Sequence, residues 1–385
     1  MIINTTVIVI AAVLLILSIV SPLFNPLFRS TGVEFTRPSN TDSPSNGKLP
    51  GISVIVPVHN DADKLDQLLP ILLSQQYDGD FQVICVCDKS DDLSEDVASR
   101  YKNNTHFYST FIPDGSHFMS RKKLAITIGV KAARYPWVVL LDAWSKPVSD
   151  EWLEAMAEHM RPEYDIIIGY SNFQNTTKGF GRFERLRNFC YLARMANQDS
   201  AFMAGGSNLA FRKEMFMKGN GFSGNLELVR GEYDLLVNKY ARIGRTFYSA
   251  CPDICVLDDT PSKLAWRNIH IFAYETRRHL QHRGKFSFVT FFDQFMLHFT
   301  LWAQLAALVF SIWQSYWILC AAAVVSMLVS MIERVAIDHK CLKAYHEVIS
   351  TIALVPYELS MAWHNISMFL RYKFADKSDF TTHKI

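Results

Sequence analysis

The stretch SRKKLAITIGVKAARYPWVVLLDAWSKP, residues 120–147, decides how this chain folds. Ser120 suits a helix N-cap, because its hydroxyl can accept from a backbone N–H of the first turn. Leu124, Ile128 and Ala132 recur at intervals of four and predict one apolar helical face. Arg134-Tyr135-Pro136 ends that helix, since a residue before proline resists the helical region. Residues 137–141 (WVVLL) form a continuous apolar run, the pattern of a strand buried on both faces. Asp142 follows at once. Ligands of open α/β sheets bind at the carboxyl ends of strands. A carboxylate there, with Lys122 and Lys123 close in sequence, points to a phosphate and divalent-cation site, or simply to an Asp capping the next turn.

The same grammar extends in both directions. Residues 52–57 (ISVIVP) predict a first buried strand, ended by Val58-His59-Asn60-Asp61. A helix over 62–75 carries Leu65, Leu68, Leu69 and Leu72 on one face. A second strand over 81–86 ends in CDKSDD, residues 87–92, and a short helix is expected over 94–101. Strands alternating with helices predict an α/β domain with a mostly parallel sheet. That topology gathers Asn60, Asp88 and Asp142 on one sheet edge. Downstream, residues 165–170 read as a strand and 183–196 as a helix. Gly205-Gly206 permits either close approach to a ligand or a tight turn. Residues 228–237 (LVRGEYDLLV) place Glu232 and Asp234 at a helix start, where acids also suit the positive end of the dipole. Residues 263–286 mix Arg and His with aromatics, as a solvated basic helix or one facing phosphates or a membrane surface does.

Composition sets limits. The 385 residues are 49% hydrophobic and 13% aromatic, enough for a core with a surplus. A net charge of +2, without a basic block interleaved with aromatics, argues against a nucleic-acid partner. Seven scattered Cys, without paired CxxC spacing, argue against a zinc site and fit a reduced compartment.

The surplus apolar sequence is concentrated. Residues 1–20 hold no charge, and 7–20 are apolar apart from Ser18, which predicts a membrane anchor rather than a cleaved signal. Arg29, Arg37 and Lys48 follow it and place the next domain in the cytoplasm by the positive-inside rule. Residues 38–50 read as a linker. Two further spans, 295–312 and 317–332, are joined by Trp313-Gln314-Ser315-Tyr316. Residues 349–370 contain Pro356, Glu358, His364 and Asn365 and suit an interfacial or partly re-entrant helix. The expected organisation is an anchor (1–28), a linker (29–50), a catalytic domain (51–285), a transmembrane hairpin (286–335) and an interfacial C-terminal segment (336–385).

These segments together resemble the membrane-bound, processive-type family 2 glycosyltransferases of bacteria over about residues 52–280. VIVPVHND is similar to the family's nucleotide-binding opening, VCDKSDD to its second motif, and KKLAITIG to its Lys-x-x-Ala-Leu-Asn-x-Gly segment. LLDAWSKP resembles the Asp-x-Asp metal motif, GGSNLAFRKEMF the acceptor-side segment, GEYDL the catalytic-base region, and ETRRHL the Gln-x-x-Arg-Trp motif. Seven motifs in the correct order are specific. Trp144 stands where the second metal-binding acid belongs, Glu232 where the base is usually Asp, Tyr233 where many relatives have an acid, and Glu275 in the place of Gln.

The resemblance implies a GT-A fold and an inverting transfer from a UDP- or GDP-sugar to a glycan or lipid-linked acceptor, as in polysaccharide biosynthesis at the inner (plasma) membrane. It implies Glu232, or else Asp234, as the catalytic base. It implies Pro57, Asn60, Asp61, Asp88, Lys122 and Asp142 as nucleotide-sugar contacts. Gly206, Asn208, Arg278 and His279 would face the acceptor or diphosphate. A weakly held Mg2+ or Mn2+ would sit on Asp142. A degenerate binding relative and a membrane nucleotidyltransferase are the alternatives from other classes.

Overall fold

The computed structural model of the protein describes residues 5–28, 33–36, 49–113, 120–198 and 201–380. Arg29, Arg37, Lys48 and most of the expected linker lie outside them. The chain divides into two compact units, residues 31–281 with 368–385 and residues 1–30 with 282–367.

The first unit is built on an eight-stranded sheet. Its order is β1 (Val33–Glu34), β10 (Thr246–Ser249), β7 (Ile166–Gly169), β9 (Leu209–Arg212), β5 (Trp137–Leu140), β2 (Ile52–Val58), β3 (Phe81–Cys87) and β4 (Phe107–Phe111). Only β9 runs antiparallel to its neighbours. A small second sheet holds β6 (Ser145–Pro147), β11 (Val256–Asp258) and β8 (Ser171–Phe173) in that order. Every residue of β2, β3 and β5 is buried, as the continuous apolar runs require of a sheet covered on both faces. The Leu65, Leu68, Leu69 and Leu72 stripe of α2 (Ala62–Leu73) joins Val54, Val56 and Val83 in one core.

α4 (Arg121–Ala132) starts as expected, with Ser120 Oγ accepting from the Lys123 N–H at 3.3 Å. Its buried face differs from the expected one. Ala125, Ile126, Gly129 and Val130 are buried, while Leu124, Ile128 and Ala132 are only partly covered. The reason is close packing on the sheet: a Cβ at Gly129 would stand 2.5 Å from Ile55 Cγ2, so the helix meets the sheet on the side that carries Gly129.

The chain runs from β2 outward through β3 to β4, then returns to β5 on the other side of β2. The crevice beyond the carboxyl ends of β2 and β5 is therefore where strand order reverses, the place for a ligand in such sheets. Asn60 and Asp61 follow β2, Asp88 follows β3 and Asp142 follows β5.

The second unit is helical: α1 (Thr5–Val20), α10 (Arg283–Trp313), α11 (Trp317–Ala344) and the first part of α12 (Thr351–Lys373). Among the described residues, three helices are long and apolar enough to cross a membrane, at Thr5–Phe24, Arg283–Trp313 and Trp317–Ala344. α12 is not among them. Val7, Ala11 and Leu14 of α1 pack on Leu319 and Ala323 of α11. A buried polar network ties α10, α11 and α12 to the turn that follows α1. Arg334 donates to Glu358 Oε2 at 2.8 Å and to Asp293 Oδ1 at 2.9 Å, and Asn25 Nδ2 donates to Asp338 Oδ1 at 3.0 Å. Glu358, an acid inside an apolar stretch, is thus buried as one half of an ion pair.

Candidate active site

Three charged side chains from three elements converge beyond the ends of β2 and β5. Lys122 Nζ, on the first turn of α4, stands 2.7 Å from Asp142 Oδ1 and 2.8 Å from Glu232 Oε1. Glu232 opens α8 (Glu232–Tyr240) and is buried, as is Asp142. Gly231, with φ of +91°, makes that helix start possible. A Cβ there would lie 2.4 Å from Thr276 Oγ1, so only glycine lets α8 begin against α9 (Lys263–His279). With both carboxyls ionised the trio carries one net negative charge.

Each titration is displaced. Burial pulls the Lys122 ammonium down, but the two carboxylates outweigh it and raise its pKa. Burial acts to raise Glu232, and Lys122 outweighs it, so the carboxyl is held below its ordinary value. Burial pushes Asp142 up, against the pull of Lys122 and Tyr233. Glu232 is consequently ionised at neutral pH and able to accept a proton.

The three consecutive basic residues of α4 take three different tasks, because successive helical residues point about 100° apart. Arg121 Nε donates to Asp88 Oδ1 at 2.6 Å. Lys122 joins the trio. Lys123 is fully buried and donates to the carbonyls of Asn225 at 2.7 Å and Leu228 at 2.6 Å, pinning the loop that leads to Glu232. Lys123, read from sequence as part of a phosphate site, is therefore an internal brace.

The other expected residues divide likewise. Asn60, with φ of 54°, accepts at Oδ1 from the Asp91 N–H at 2.8 Å, tying the first strand end to the second. Asp61 accepts from Lys64 at 2.7 Å, and Pro57 lies in β2 opposite Val86. Asp234 Oδ1 accepts from the backbone N–H groups of Ala204 at 3.1 Å and Gly205 at 3.0 Å, holding the glycine pair against α8. Asn208 is wholly buried. Its amide donates to the carbonyls of Tyr170 and Ile254 and its oxygen accepts from Trp152 Nε1, so its polar atoms serve the core. Gly206 lies beside Arg185, whose guanidinium pairs with Asp258 at 2.6 Å. Arg278 donates to Tyr372 at 2.9 Å, and His279 stands 3.2 Å from Glu275 and 3.8 Å from Glu227.

Sequence reasoning missed two participants. The Tyr233 phenol donates to Asp142 Oδ1 at 2.5 Å, and its ring lies 4.7 Å from Lys122 Nζ. Lys64 Nζ stands 5.2 Å from the centre of the Trp144 ring, which Lys122 approaches to 5.0 Å. The (i, i+3) spacing of Asp61 and Lys64 on a helix start was the available signal. A hard cation finds few free oxygens here: Asp142 Oδ2 has no protein partner among the described residues, while its Oδ1 is taken and Glu232 is paired with Lys122. That suits a site in which phosphate and water supply the remaining ligands.

The family model for glycosyl transferase family 2 matches residues 53–219. The chain carries a family 2 glycosyltransferase domain. The matched segment holds Asp88, Lys122 and Asp142 and stops short of Glu232. No curated protein sequence matches the glycosyltransferase. Among solved structures, the mannosyltransferase PcManGT from Pyrobaculum calidifontis, in complex with GDP-Man and Mn2+, superposes with a TM-score of 0.56 at 16% identity, covering 96% of this chain and 99% of that one. That likeness shows a shared GT-A fold. S. aureus TarS scores 0.40 at 17% identity over 65% of this chain and 43% of its own. TarS 1-349 with UDP-GlcNAc scores 0.42 at 14% identity over 82% and 92%.

Proposed function

We propose that this glycosyltransferase moves a sugar, with inversion, from a UDP- or GDP-sugar to a glycan or lipid-linked acceptor at the inner (plasma) membrane, with its catalytic unit in the cytoplasm. The observation that carries the reading is Lys122 bridging Asp142 and Glu232. One cation joins a carboxylate suited to the donor side and a carboxylate suited to the acceptor side.

The chemistry follows from that placement. The acceptor hydroxyl gives its proton to Glu232 while its oxygen bonds to the anomeric carbon. The bond from that carbon to the diphosphate breaks, and its electron pair leaves on phosphate oxygen. Lys122, released from Glu232 as the carboxylate takes the proton, offsets the charge growing on the leaving group. Asp142, oriented by Tyr233, would hold a Mg2+ or Mn2+ ion, which when bound adds further charge neutralisation. Asp88, fixed by Arg121, supports the base and ribose, with Asn60 and Asp61 shaping the same rim. Gly206 and the Arg278–His279 pair are the acceptor-side candidates.

The test is a panel of nucleotide sugars with the detergent-extracted full chain, with and without manganese. Thermal shift should select a UDP- or GDP-sugar, and NMR should find the product linkage inverted. Retention of configuration, or pyrophosphate as the released product, contradicts the reading. Cytoplasmic placement is checked by cysteine labelling of intact cells: a linker cysteine at 38–50 should resist an impermeant reagent.

A further inference from the structure

The donor diphosphate, in the reading above, enters a site whose own trio already carries a net negative charge. One ammonium, shared by two carboxylates, does not offset it. Where a second metal-binding acid would add another negative charge, this chain has Trp144, and two ammonium groups stand at its ring, Lys64 at 5.2 Å and Lys122 at 5.0 Å from the centre. A tryptophan face attracts cations through its quadrupole and, being neutral, leaves their charge undiminished toward a third party. Lys64 is half-exposed. It is anchored through one N–H to Asp61 Oδ1 at 2.7 Å, and its other two N–H groups have no protein partner among the described residues.

We propose that Lys64, held with Lys122 against the ring of Trp144, binds the diphosphate of the nucleotide sugar. The exchange of an acid for Trp144 then gives the donor site a pair of lysines, one from α2 and one from α4, on either element flanking the β2 strand end. The inference rests on the donor reading given above and adds a binding residue to it. It also gives the Asp61–Lys64 pair a role: the carboxylate orders a long side chain that would otherwise spread over many rotamers, so less freedom is lost when phosphate binds.

The experiment is calorimetric titration of the full chain in detergent with UDP and with GDP, in EDTA and in manganese, comparing wild type with Lys64→Gln, Lys64→Arg and Trp144→Leu. In EDTA, Lys64→Gln should weaken the bound nucleotide about tenfold, the size of one charge-assisted hydrogen bond. Lys64→Arg should restore most of the affinity. Trp144→Leu should weaken it in the same direction, and the melting temperature of Lys64→Gln should match wild type. Equal affinity of Lys64→Gln and wild type in EDTA overturns this inference and leaves the donor reading intact. Failure of wild type to bind either nucleotide, with or without manganese, overturns both.

Discussion

Tyr233 and Asp142 are separated by 91 positions in sequence and joined by a 2.5 Å hydrogen bond in the site. The phenol counters the burial that raises the Asp142 carboxyl. Tyr233→Phe removes that opposing donor, so the Asp142 pKa rises further. The acidic limb of kcat/KM should move to higher pH, with activity at neutral pH falling about tenfold. A pH–rate profile checks this, and an unmoved limb contradicts it.

The neutral side chain at 144 leaves Asp142 without a second carboxylate beside it at the strand end. Trp144→Asp should lower the manganese concentration needed for half-maximal activity. Asp142→Asn should abolish both turnover and the manganese response. Full activity of Asp142→Asn in excess chelator would make the strand-end acid purely structural.

Lys123 illustrates what a sequence conceals. Burial pulls its pKa from 10.5 down to about 8, against the pull of Glu232 and Glu227. Between those values the unfolded chain holds more protons at this site than the folded one, so stability rises as pH climbs from about 8 toward 10.5. Lys123→Met should lack this rise and should cost about 1–3 kcal/mol by leaving two loop carbonyls without donors. Thermal unfolding of both proteins across that pH window checks the sign.

How much was legible follows from the range of each interaction. The helix, break, strand and acid of 120–147 rest on local rules, and all four stand where the sequence puts them. The buried face of α4 does not, because it is chosen by Ile55 pressing on Gly129, a contact invisible along the chain. Lys122 and Lys123 are equivalent in sequence. What separates them is that Glu232 and the carbonyl of Leu228 lie more than a hundred residues away. Asp234 and Glu232 likewise share one helix start, and only the backbone N–H groups of Ala204 and Gly205 claim Asp234. Asn208 stands in an exposed-looking polar segment of the sequence, yet Trp152 and two carbonyls use its side chain. α10 begins at Arg283, ahead of the apolar run at 295–312, although Gly284, Ser287 and Thr290 are poor helix formers, because packing that buries Phe286, Asp293 and Gln294 overrides propensity.

In the helical unit, Arg334 is buried between Asp293 and Glu358. Arg334→Met leaves two buried carboxylates without their cation and should destabilise the unit by about 3–5 kcal/mol. Melting of the detergent-extracted protein, followed by near-ultraviolet circular dichroism, should show the loss. A melting temperature unchanged from wild type would contradict it.

The central claim is that Glu232 takes the acceptor proton while Asp234 only braces the glycine pair. Single-turnover transfer from the selected nucleotide sugar, measured beside donor affinity, tests it in two variants. Glu232→Gln should lose about 10²–10⁴ of the rate, the usual worth of a general base, with donor affinity within a few-fold of wild type. Asp234→Asn, whose amide oxygen still accepts from Ala204 and Gly205, should keep most of its activity. Near-normal turnover of Glu232→Gln alongside loss in Asp234→Asn would contradict the account and make Asp234 the base.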